Sequence, residues 1–122
     1  MFNILAIGLG GFLGAVGRYL IGLIPVNETF LFPIKTFGIN IIGCFAIGVI
    51  AVAAAKSDSL NPYLLLFLKV GLCGGFTTFS TFALESVDLI KAGHAPFALL
   101  YMLGSAVIGI AVIFAAEYLT SR

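Results

Sequence analysis

The charged positions divide the chain into long apolar runs. Charges fall at 18, 28, 35, 56, 58, 69, 85, 88, 91, 117 and 122. Four apolar segments lie among them. The first runs from about 3 to 24 with Arg18 near its end, and the second from 36 to 55 with no charge. The third runs from about 62 to 90, with Lys69 near one end and Glu85 near the other, and the fourth from about 96 to 118. A helix needs about 20 apolar residues to cross the hydrocarbon core. The pattern therefore predicts an all-α integral membrane protein with four transmembrane helices. The links hold the breakers: Pro25, Asn27 and Pro33; Ser57, Asp58, Asn61 and Pro62; Gly93, His94 and Pro96. Four spans take up about 80 residues, so residues 1–122 read as one unit with no room for a soluble domain. Strict apolar–polar alternation is absent, which argues against a β-barrel. The first segment lacks a basic n-region and a small-x-small cleavage site, so it reads as a retained span and not as a signal peptide.

Composition sharpens the exclusions. The chain is 61% apolar and only 9% charged, against about 25% charged in soluble domains. A soluble monomer and a disordered tail are excluded. A net charge of +1 supplies no basic field for nucleic acid. Cys44 and Cys73 fall mid-span without metal-ligand spacing and read as small core residues. No nucleophile–base pair, phosphate loop or metal-ligand cluster is visible, so no enzyme is expected.

The cations carry a second signal. With four spans, both termini and the middle link share one side, which receives Lys56, Arg122 and the snorkelling Lys69. The other side receives Lys35, Lys91 and Arg18. Lys/Arg asymmetry normally sets orientation, and here the sides tie. Two readings stand: a weak local signal decides, or the chain inserts both ways and two copies pair head to tail. Gly10, Gly14 and Gly17 share one helical face, with Gly11 and Ala15 beside it. Small residues at this spacing let helices approach closely in lipid, so the glycine face suggests a close partner.

The third span is overlong and badly suited to a plain helix. Its middle reads Gly71-Leu72-Cys73-Gly74-Gly75-Phe76-Thr77-Thr78-Phe79-Ser80-Thr81-Phe82. Glycine costs roughly 1 kcal/mol in a helix interior, and hydroxyls can replace backbone partners freed by a break. One reading is a glycine-kinked packing helix with back-bonded hydroxyls. The other is a functional break near the midplane, whose freed carbonyls suit a small cation. Phe76, Phe79 and Phe82 step by three and are expected on one face, with Glu85 extending it. An intramembrane carboxylate is a functional candidate, with an interfacial residue as the alternative. Asn40 is the only amide of the second span and must face protein or water. Tyr101, Ser105 and Gly109 form a narrow polar strip on the fourth, and His94 reads as a loop residue.

Three stretches carry a resemblance. GGFLGAVGRY, GINIIGCFAIG and GLCGGFTTFSTF, in that order on four spans, are similar to segments of the CrcB/Fluc family of small fluoride channels. The likeness covers essentially the whole chain. It implies a fluoride-selective channel in a prokaryotic plasma (inner) membrane that passively exports fluoride from the cytoplasm. It also implies a dual-topology antiparallel homodimer with a structural sodium ion at its centre. On this sequence the sodium carbonyls fall on Gly74 and Thr77, and the fluoride pathway on Asn40, Phe79, Phe82, Ser80, Thr81, Tyr101, Ser105 and Glu85. Arg18 matches the family arginine, expected in a structural or vestibule role. Lys35 departs from the pattern, standing where a small residue is expected. The rival from another class is a proton-coupled exporter of the small-multidrug-resistance type. That mechanism wants a carboxylate within the first span, which has only Arg18.

Overall fold

The computed structural model describes residues 1–27 and 29–122. Among them every regular element is helical. Helix α1 spans Phe2–Gly22 and α2 spans Ile34–Lys56. The third span, Pro62–Lys91, is made of two helices. The first, α3, covers residues 62–76: an α-helical turn over Pro62–Leu65, a wider π-helical stretch over Leu66–Cys73, and a last turn over Gly74–Phe76. After a break at residues 77–79, α4 covers Ser80–Lys91. Helix α5 closes the chain over Ala95–Thr120. Among the described residues four spans are long and apolar enough to cross a membrane, as the charge pattern predicted.

Local chemistry sets the ends. The Asn61 side chain accepts from the Tyr63 amide at 2.8 Å, and Pro62 takes the first helical position, where no amide partner is needed. The third span ends in a left-handed glycine, Gly93 at φ 85°. The His94 amide reaches the Leu89 carbonyl at 2.8 Å and the Gly93 amide the Ile90 carbonyl at 3.1 Å, which ties off the carbonyls left at the end of α4.

The glycine face of α1 has its partner inside the chain. Gly10 and Gly14 are buried against α3. A Cβ on Gly14 would collide with the Leu72 carbonyl and come within 2.7 Å of the Phe76 amide nitrogen. A Cβ on Gly75 would come within 2.7 Å of the Gly11 carbonyl. Backbone therefore lies on backbone, and the GxxxG spacing serves packing within the chain. On the other side α2 packs on α5, where a Cβ on Gly48 would come within 2.9 Å of Ala116 Cβ.

The expected single face of Phe76, Phe79 and Phe82 does not form, because a step of three describes one face only while the helix continues. It stops at Thr77, whose backbone is extended (φ −81°, ψ 160°). The Phe76 ring turns back under Gly17, 3.7 Å from where a Cβ would sit. A small core lies between α4 and α5, where Leu89, Ala98 and Tyr101 are packed by Phe32, Phe37, Phe82 and Met102.

Candidate functional site

The break in the third span frees backbone groups that a continuous helix would pair. Asn40, nearly two turns into α2, takes both groups of one residue. Its Nδ2 donates to the Thr78 carbonyl at 3.1 Å, and its Oδ1 accepts from the Thr78 amide at 2.9 Å. This pair fixes the amide's orientation, because only the nitrogen can donate. The Thr77 hydroxyl donates back to the Cys73 carbonyl at 2.9 Å. The Thr78 hydroxyl oxygen accepts from the Thr81 amide at 3.2 Å and so caps α4. Arg18 reaches across from α1, its Nε 3.4 Å from the Gly75 carbonyl. Among the described residues no backbone amide outside regular helix pairing meets the carbonyls of Gly74 or Thr77. Gly74 is exposed and Thr77 half-buried.

A groove of about 440 Å³ runs along the break. Asn40, Gly43, Cys44 and Ile47 line it from α2, and Ser105 and Ala106 from α5. Thr77, Thr78, Phe79 and Phe82 line it from the third span. Phe79 is 78% exposed on the groove's open side. The Phe79 and Phe82 rings lie 5.8 Å apart, tilted by 50°. Phe82 in turn meets Tyr101 edge-on at 4.9 Å.

Beyond the rings lies a carboxylate. Glu85 accepts from the Thr36 hydroxyl at 3.0 Å and from the Tyr101 hydroxyl at 2.8 Å, one on each oxygen. Tyr101 is wholly buried and Thr36 nearly so. A second cavity of about 350 Å³ opens past Glu85, lined also by Asn27, Pro33 and Lys35. The Lys35 ammonium donates to the Gly22 carbonyl at the end of α1, at 2.7 Å.

The residues singled out by sequence thus separate into groups. Asn40, Phe79, Phe82 and Ser105 share the groove with Gly74 and Thr77. Glu85 and Tyr101 form their own cluster. Ser80 is exposed and Thr81 half-buried, and neither lines the groove or the second cavity. Arg18 sits at the back of the break. Two residues that hold this arrangement together were not singled out by sequence. Thr36 carried a signal, since it lies four residues before Asn40 on the same helical face. Thr78 carried none, because Asn40 holds it by its main chain.

Comparison with known proteins converges with this geometry. The family model described as CrcB-like protein, Camphor Resistance (CrcB), matches residues 5–116, spanning every element of the groove. The chain belongs to the CrcB family. Curated relatives agree over nearly its whole length. A protein of Chlorobaculum tepidum named fluoride-specific ion channel FluC is 44% identical over 98% of this chain and 94% of its own. A protein of the same name from Phocaeicola vulgatus is 45% identical over 90% of this chain and 91% of its own. Another from Ruminiclostridium cellulolyticum is 48% identical over 80% of this chain and 75% of its own. This CrcB-family chain is a multi-pass membrane protein.

Proposed function

We propose that this CrcB-family protein is a fluoride-selective channel of a prokaryotic plasma membrane, and not an enzyme. The relatives' shared name supports the reading. The observation that carries it is the state of the Asn40 amide. Its oxygen and one N–H are committed to Thr78, and an amide has two N–H donors. The second is left over in a groove with the Ser105 hydroxyl and two phenylalanine rings. Fluoride is small and strongly hydrated, so a narrow pathway must replace its water with donors. Amide and hydroxyl hydrogens serve, and ring edges carry partial positive charge. Several weak sites in series let the ion enter and leave. In this reading Asn40, Phe79, Phe82 and Ser105 form the inner part of the pathway. Tyr101, Glu85, Ser80 and Thr81 belong to its continuation, and Arg18 braces the break.

Two further parts of the reading rest on the same break. Its carbonyls at Gly74 and Thr77 are hard oxygen ligands beside an exposed face, which suits a structural sodium ion shared between two copies. The spans bury only 11–17% of their apolar windows within the chain, and Phe79 is largely uncovered. An antiparallel homodimer would cover that face, consistent with the even division of cations. Export follows by mass action: fluoride enters an acidified cell as neutral hydrofluoric acid, ionises inside, and leaves down its gradient.

Fluoride efflux from liposomes holding the purified protein tests the proposal. Efflux with chloride strongly excluded is expected; no fluoride flux, or equal chloride flux, would overturn it. Phe79→Ile is expected to abolish flux while the dimer persists on a sizing column. A C-terminal tag found on one membrane face only would remove the antiparallel arrangement. Replacing sodium by a large organic cation is expected to lower the melting temperature in detergent, and an unchanged value would remove the sodium.

A further inference from the structure

Among the described residues two cations make no side-chain hydrogen bond: Lys91, exposed at the end of α4, and Lys69, which lies inside a span. Lys69 stands seven residues inside the third span, at most about 10 Å along the helix from its start. An ionisable residue at such depth must snorkel to the interface or face protein or a water-filled cavity. Lys35 and Lys56 are each spent on a carbonyl at a helix end, that of Gly22 and of Thr120. Lys69 makes no hydrogen bond or salt bridge among the described residues, and its side chain is exposed on the wall of the main groove.

The register of the helices says which end of the groove it occupies. Asn40 is level with Thr78. A Cβ on Gly43, farther along α2, would run into the Thr77 side chain. Following α2 towards Ile47 therefore means moving back along the third span, through Cys73 towards Lys69. Lys69 and Ile47 stand at one end, and Asn40, Phe79 and Phe82 at the other. The groove thus has an unpaired ammonium at one end and the Asn40 and Ser105 donors towards the other.

We infer that Lys69 is the anion-recruiting charge of this groove, an entry site that gathers small anions from water ahead of the Asn40 and phenylalanine sites. The inference rests on the channel reading above for its purpose, but its electrostatics can be read without flux. A cation on a low-dielectric wall raises the local concentration of anions. Opposite unit charges a few ångströms apart across a hydrated groove should give about a fivefold effect at low salt. At 1 M salt, where the screening length is about 3 Å, it should fall below twofold.

Cys44 lines the same groove and serves as a native reporter. In a Cys73→Ala background, its rates of modification by an anionic and by a neutral methanethiosulfonate are compared. The expected result is that Lys69→Met lowers the anionic-to-neutral ratio about fivefold at 20 mM salt and less than twofold at 1 M, while Lys69→Arg preserves it. Lys56→Met, whose lysine is held at Thr120 outside the groove, should leave it unchanged. An unaltered ratio in Lys69→Met, or failure of Cys44 to react with either reagent, overturns the inference. In liposomes the same variant should show efflux several-fold below that of the unmodified protein at low salt, and the two rates should converge at high salt. Absence of efflux from the unmodified protein refutes the channel reading and leaves the thiol result to decide the Lys69 assignment.

Discussion

Asn40→Asp separates the two roles that one amide combines. The carboxylate keeps an oxygen to accept from the Thr78 amide, so that 2.9 Å bond survives. It has no hydrogen to donate, so the Thr78 carbonyl, now 3.1 Å from Asn40 Nδ2, faces a second oxygen. Leaving a buried acceptor without its donor costs about 1–3 kcal/mol. The flux cost is larger. The free N–H disappears, and a negative charge about 4 Å from a passing anion opposes it by about 4 kcal/mol at an effective dielectric of 20, close to a thousandfold. Fluoride efflux from liposomes should therefore fall by two to three orders of magnitude, while unfolding in detergent shows only the modest loss. Thr78→Ala is the contrasting variant. It keeps both main-chain groups that Asn40 holds and loses the hydroxyl cap on the Thr81 amide, worth about 1 kcal/mol. Its efflux should stay within a few-fold of the unmodified protein. If Asn40→Asp conducts within threefold of normal, or if Thr78→Ala fails as badly, the amide is not the donor that matters.

Gly14→Ala should destabilise the protein by about 1–3 kcal/mol, because its methyl would have to displace the Leu72 and Phe76 backbone; Gly8→Ala, which meets nothing within 4 Å, should be neutral or slightly stabilising. Equal stabilities by denaturant titration in detergent would show that the α1–α3 contact is not close-packed. Tyr101→Phe and Thr36→Val each remove one donor to Glu85 and should cost about 1.5–3 kcal/mol apiece. Because they serve one carboxylate, the double variant should depart from additivity by at least about 0.5 kcal/mol; strict additivity in the same titration would separate the two contacts.

The spans were legible because charge is scarce: in lipid a run of apolar residues has few structures open to it other than a helix. The break was legible for a related reason, since Gly74-Gly75 and the hydroxyls after it make a poor helix interior. What the glycines of α1 pack against was not legible. Close approach of two backbones uses the same small residues whether the second helix belongs to the same chain or to another. Phe76 was misjudged because periodicity presumes a continuous helix, and the break that the local sequence announces at Thr77 cancels the step to Phe79. The Thr36–Glu85–Tyr101 cluster joins three elements separated by 49 and 16 residues. No local pattern encodes such a meeting, although each polar side chain alone announced that it needed a partner.

The position of Asn40 shows why the broken span and the donor site arise from one residue. A break inside a membrane leaves an amide and a carbonyl of the same residue without partners, and neither can be left to lipid. A serine could meet either group but would have no donor to spare. A carboxylate could accept but not donate, and a lysine the reverse. An amide bridges both groups of Thr78 and still holds one N–H in reserve. That reserve is fixed in direction, because the two bonds to Thr78 hold the side chain. Satisfying the break and presenting an oriented donor to the groove are therefore a single structural solution. The groove's selectivity for a small, strongly hydrated anion should then track the integrity of the break itself.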